Sequence, residues 1–109
     1  MSEKEQTFGA AISEARRKLG WSQKELASKI LREDEEAISP QYLNDIEHDR
    51  RSPSSDHMVQ QFADILNIEA DWLYYLAGKF PAWVREQKMT SKEVSSAMNA
   101  FRRSIPKKG

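Results

Sequence analysis

The 109 residues suffice for one modest core, and an apolar share of 39% beside 31% charged residues is the mix of a soluble globular domain. No apolar run approaches the roughly 20 residues that cross a bilayer, and the polar opening MSEKEQTFGA lacks a signal core, so a cytoplasmic chain is expected. There is no cysteine, which excludes disulfides, Cys-based zinc sites and thiol chemistry, and the zero net charge hides a segregation: residues 1–78 carry −6 and residues 79–109 carry +6.

Phe8, Ala11, Ile12, Ala15 and Leu19 recur at spacings of three and four, the stripe of a first helix, with Thr7 as its cap and Gly20 at its end. Arg16, Arg17 and Lys18 fall in its last turn, where cations suit the dipole, and read as a solvated helix end. Ser22 and Glu25 form a capping box that opens a second helix, with Leu26, Ala27 and Ile30 on its inner face. The acidic segment Leu31–Ala37 has no apolar period and reads as a helix extension running into a loop. Ser39 followed by Pro40 starts a third helix with Tyr42, Leu43 and Ile46 on its apolar side, ending near Asp49.

A fourth helix has Met58, Val59, Phe62, Ala63, Ile65 and Leu66 inside, and Asn67-Ile68 breaks it. A short fifth carries Trp72, Leu73 and Leu76 and ends at Gly78. A turn or two follows Pro81, and a second capping box, Thr90 to Glu93, leads into Val94, Ala97, Met98 and Phe101 at helical spacing. Residues 104–109 have the look of a frayed basic end. No strand-like alternation occurs, so the expected fold class is all-α: a five-helix domain over 1–78 and a short helical extension with a basic tail over 79–109.

Five short helices with a compact helix-turn-helix unit suit a groove reader. The stretches SQKELASKI (22–30), ISPQYLNDIEHDRRSPS (38–54) and DWLYYLAG (71–78) resemble the Cro/repressor-like (XRE) regulators over about two thirds of the chain. The resemblance implies a dimer that binds duplex DNA, with the free face of the third helix in the major groove of a pseudo-palindromic operator. Its groove-facing positions carry over to Ser39, Pro40, Gln41, Asn44 and Asp45. Gln41 and Asn44 suit adenine, each offering a donor beside an acceptor, whereas Asp45 only accepts and so favours a cytosine amine or excludes other bases. Gln23 matches the family position that bonds a phosphate, with Lys24, Tyr42, Arg50 and Arg51 as further backbone contacts. Ala27 must be small where the third helix crosses the second.

One departure is clear. The family has about one residue, usually glycine, between helix two and the Ile of ISPQYL. Here Leu31 to Ala37 intervene without glycine and with four carboxylates, which phosphates would repel, so the insertion either projects away from DNA or serves another partner.

Trp72, Tyr75, Phe80 and Trp83, with Met98 and Phe101 of the extension, fit either packing on their own domain or a dimer interface. Arg102, Arg103, Lys107 and Lys108 add either non-specific DNA affinity or solubility. His48 and His57 read as surface residues, since metal sites need three or more convergent ligands. No nucleophile–base pair, phosphate loop or HExxH is present, so neither an enzyme nor a cofactor is expected. The expected function is a transcriptional regulator, a repressor by occupancy and a homodimer. The rival reading is an antitoxin-like or phage-type interaction module that holds a regulatory protein partner at the acidic insertion.

Overall fold

The first four helices each start where a side-chain oxygen takes up an orphan backbone N–H. The computed structural model describes residues 6–106. Thr7 accepts from the Ala10 amide and opens α1 (Phe8–Lys18). Ser22 and Glu25 exchange both bonds of the capping box at the start of α2 (Gln23–Ala27). Ser39 caps α3 (Pro40–Glu47), whose proline stands in the first turn where no N–H is missed. Ser55 caps α4 (Asp56–Leu66), which ends on Asn67 in the left-handed region at φ 56°. The fifth helix, α5 (Ala70–Leu76), is followed by Gly78 at φ 72°, the single-turn α6 (Ala82–Arg85) and α7 (Ser91–Ser104), which Thr90 and Glu93 cap reciprocally.

The inner faces of α1 to α5 close over one core. Phe62 lies at its centre, edge-on to Phe8 at 5.9 Å, with Ile12, Leu26, Leu43, Ile46, Met58 and Leu73 around it. Ala27 is buried, as expected for the residue beneath the crossing of α3. Leu19, expected on the first stripe, is 47% exposed because α1 ends at Lys18 and the chain turns away at Gly20.

Arg16 departs furthest from its expected place. It is not a solvated helix end: it is buried, with Nε and Nη2 donating to the two Glu47 carboxylate oxygens at 2.7 and 3.0 Å and Nη1 to the Trp21 carbonyl. It lies four residues after Ile12 and therefore on the buried stripe, while Arg17 and Lys18 remain exposed. Gln23 adds a third donor to Glu47 at 2.9 Å. One bidentate pair thus joins α1, α2 and α3.

A second clamp joins the chain just beyond α3 to the start of α1. Asp49, left-handed at φ 59°, accepts from the Thr7 hydroxyl at 2.6 Å and the Gly9 amide at 2.9 Å. Gly9 makes this approach feasible, because a Cβ there would lie 2.4 Å from the carbonyl oxygens of Ile46 and Glu47.

The segment Leu31–Ala37 is not a helix extension. It is a tight turn closed by an isolated antiparallel bridge between Leu31 and Ala37, with the Arg32 amide donating to the Glu36 carbonyl at 2.9 Å. Asp34 is the reason. It accepts from the Arg32 guanidinium and from the Glu36 amide, and Glu35 takes the left-handed region at φ 66°. The Gln61 side chain of α4 then holds both backbone groups of Leu31, at 2.8 and 2.7 Å.

Two outcomes test the α1–α3 clamp. Gly9→Ala should lower stability by about 1–3 kcal/mol, since the new methyl meets backbone that cannot yield, and a urea unfolding midpoint measures it. Glu47→Ala should cost about 3 kcal/mol or more by leaving a buried guanidinium unpaired. The Glu47 carboxyl also titrates in a defined direction. Burial raises its pKa, but the Arg16, Gln23 and Ser13 bonds with the Arg16 charge outweigh it and hold the value below 4.5. The folded value is the depressed one, so its contribution is complete above the unfolded value and lost as pH falls through the folded one. Unfolding midpoints should therefore fall below about pH 4.5 in the wild type and fall less in Glu47→Gln.

Candidate nucleic-acid interface

Packing divides α3 in two. Leu43, Ile46 and Glu47 are buried toward α1 and α2, so Gln41, exposed, and Asp45, half-buried one turn on, fall on the opposite face. Gln41 Nε2 donates to Asp45 Oδ1 at 3.1 Å and keeps its second N–H and its carbonyl oxygen. Ser39 and Pro40 are exposed at the N-terminal end of this face, and the Ser39 hydroxyl keeps its own proton to donate while capping the helix.

Asn44 sits apart from Gln41 and Asp45, half-buried on the seam with α2, where its oxygen accepts from Gln23 at 3.0 Å. Gln23 is therefore engaged twice inside the protein, and its remaining polar atom is its carbonyl oxygen. Lys24 beside it is exposed. An open groove between α1 and α3 is lined by Glu14, Arg17, Lys18, Gln23, Glu47 and His48, so its two cations stand with two carboxylates, and Lys18 pairs with Glu14 at 3.2 Å.

The exit from α3 carries two guanidinium groups. Asp49 turns the chain so that the Arg50 amide donates to the Asp45 carbonyl at 2.9 Å, and the Arg50 side chain approaches Asp45 Oδ1 at 3.4 Å. Arg51 lies over the Tyr42 ring at 4.6 Å, an arrangement that holds both side chains at the edge of the exposed face. Ser39, Gln41, Asp45, Arg50 and Arg51 offer donors, one carboxylate acceptor and two cations along α3 and its exit, a set suited to base edges and phosphates together.

The remaining sequence-derived residues lie elsewhere. Trp72 stacks on Tyr75 at 5.6 Å, and Tyr75 is 67% exposed, so the core does not cover this pair. Phe80, Trp83 and Phe101 are exposed as well, and Met98 is half-buried. The Trp83 indole donates to Asp71 at 3.4 Å, and Trp72 donates to Gln6. The start of the extension is tied to α4 by Arg85, which pairs with Asp56, and by Lys79, 3.6 Å from the other Asp56 oxygen. That oxygen is buried and has the Lys79 charge nearby without a hydrogen bond. Arg102 and Arg103 are exposed in the last turn of α7, whereas Lys107 and Lys108 lie outside the described residues. His48 and His57 are both exposed, and among the described residues no three His, Asp or Glu side chains converge as metal ligands.

Sequence reasoning missed the Arg16–Glu47–Gln23 network and the Asp49 clamp. For Arg16 a signal existed, namely a charge on the apolar stripe of α1. For Asp49 none did, since its partners Thr7 and Gly9 are some forty residues away in the chain.

Residues 12–73 match the helix-turn-helix family, more than half of the chain. No curated protein and no solved structure matched in the corresponding searches. The matched span runs from the buried Ile12 of α1 to Leu73 of α5 and encloses α2 and α3 with the whole exposed face between them. With the all-helical fold, the capped α2–α3 unit and the outward face of α3, this chain belongs to the Cro/repressor-like (XRE) family of helix-turn-helix DNA-binding regulators.

Proposed function

We propose that the protein is a sequence-specific repressor that places α3 in the major groove of a pseudo-palindromic operator as a homodimer. The observation that carries this reading is the division of α3: its inner side is fastened by the Glu47 pair and the core, while Gln41 and Asp45 stand outward with Arg50 and Arg51 beside them. Ser39, Gln41, Asn44 and Asp45 read base edges, Gln41 and Asn44 suiting adenine and Asp45 an exocyclic amine. Lys24, Arg50 and Arg51 contact phosphates, with Gln23 and Tyr42 setting the register. The acidic turn at 31–37 is closed on itself and fastened to α4, and its exposed carboxylates point to a location off the DNA path.

Two copies meet through the exposed Trp72–Tyr75 stack with Trp83, because aromatic side chains give large contact area at little entropy cost. Repression follows from occupancy of the operator. A second reading draws on the same exposed aromatics and the ordered acidic turn: a protein partner binds there, and DNA binding is secondary.

Selection from random duplexes at moderate salt tests the proposal. Enrichment of a palindrome, bound at twice the monomer mass, is the expected outcome. Gln41→Ala should lower affinity for the selected site by about 1–3 kcal/mol and relax one position. Affinity should also fall steeply between about 50 and 200 mM salt, since each phosphate contact releases condensed counterions. A well-folded protein that enriches nothing and shows no salt dependence would overturn the reading. Tyr75→Ala should raise the monomer fraction in sedimentation without loss of helix content.

A further inference from the structure

Asp45 is a carboxylate on the face assigned to DNA, where phosphates and purine N7 and O6 acceptors would all repel it. A residue that only read a cytosine or adenine amine would need no partner of its own. Asp45 nevertheless has two, both on the same oxygen: Gln41 Nε2 at 3.1 Å and the Arg50 guanidinium at 3.4 Å. Arg50 does not meet it by chance. The left-handed Asp49, gripped by Thr7 and Gly9 of α1, turns the chain so that the Arg50 amide closes onto the Asp45 carbonyl. The domain's own fold thus delivers one of the two guanidinium groups at the α3 exit to a carboxylate instead of leaving it free. Arg51, the other, lies over an uncharged ring and keeps its charge available.

We infer that Asp45 is a positioning residue that couples base recognition to phosphate grip by sequestering Arg50 until its carboxylate finds a base amine. The inference rests on the reading of α3 as the base-reading helix. On non-matching DNA the amine of that base pair lies on the other strand and an acceptor faces Asp45, so Arg50 stays with the carboxylate and one phosphate contact is missing. On a matching site, a cytosine N4 or adenine N6 amine donates to Asp45 and replaces the guanidinium, which then turns to the backbone. The partner this implies is duplex DNA with an exocyclic amine in the major groove at the Asp45 position. The gain is selectivity, because non-specific affinity, which comes from phosphates, is held down by one contact.

The test measures binding of wild type, Asp45→Asn, Arg50→Gln and the double variant to the selected duplex and to a scrambled duplex of equal length, over a salt series. For wild type, the plot of log affinity against log salt should be steeper on the selected duplex by roughly 0.9, the value of one phosphate contact. Asp45→Asn should bind the scrambled duplex about tenfold more tightly with a slope steeper by the same amount, and this change of slope should vanish in the Arg50→Gln background. Arg50→Gln, an exposed substitution beyond the end of α3, should weaken the selected complex, which loses a phosphate contact, more than the scrambled one, where only the screening of Asp45 is lost. An Asp45→Asn slope that does not move, or moves equally without Arg50, overturns the coupling while DNA binding itself stands. Wild type that binds neither duplex in a salt-dependent way overturns the base-reading assignment and the coupling with it.

Discussion

The arrangement depends on a buried charge pair that spans three helices. Moving the Arg16 guanidinium and the Glu47 carboxylate out of water is costly, and the pair persists because each guanidinium nitrogen and both carboxylate oxygens have a partner: two parallel bonds to Glu47, a third from Gln23, and the Trp21 carbonyl on the remaining guanidinium nitrogen. Apolar contacts would hold α1, α2 and α3 together, but they are non-directional and would tolerate rotation of α3 about its axis. Bidentate geometry does not. The pair fixes which side of α3 faces inward, and the outward side follows from it.

The consequences run along the chain. With Glu47 fixed, His48 ends the helix and Asp49 can reach the start of α1, where Gly9 has no side chain to obstruct it. That turn sets the direction of Arg50, and Arg50 in turn meets Asp45. The Gln23–Asn44 bond closes the seam between α2 and α3 from the other side. The outward face is therefore pre-organised: Gln41, Asn44 and Asp45 are already held by neighbours within the protein.

Beyond α5 the physics changes. The extension is held near its start by Asp56, Lys79 and Arg85, while α7 exposes Val94 and Phe101 along a well-capped helix. The acidic turn at 31–37 is closed at its base. Its ends are joined by a bridge, the Ile38 amide closes back onto the Ile30 carbonyl, and Gln61 fastens its base. The loop that lengthens the turn thus returns the chain to the register that Ser39 needs to cap α3.

The helices, their caps and the family were legible in the sequence because they rest on local signals. Thr7, Ser22 with Glu25, Ser39 with Pro40, and Thr90 with Glu93 act on backbone groups within three residues, and the apolar spacing of α1 and α4 marks their inner faces. Leu43 and Ile46 were legible as the inner side of α3, whereas Glu47, buried beside them, was not, because a carboxylate is not part of an apolar stripe. Tertiary structure alone decided what those residues touch. Gln23 turned toward Asn44 and Glu47, Arg16 moved from the solvent to the core, Asp45 acquired Arg50, and the supposed helical extension at 31–37 became a turn through its Arg32–Asp34 contact and the distant Gln61. The physical reason is range: caps and stripes are written within one or two helical turns, whereas Arg16 and Gln23 meet Glu47 only when folding brings helices distant in the chain together.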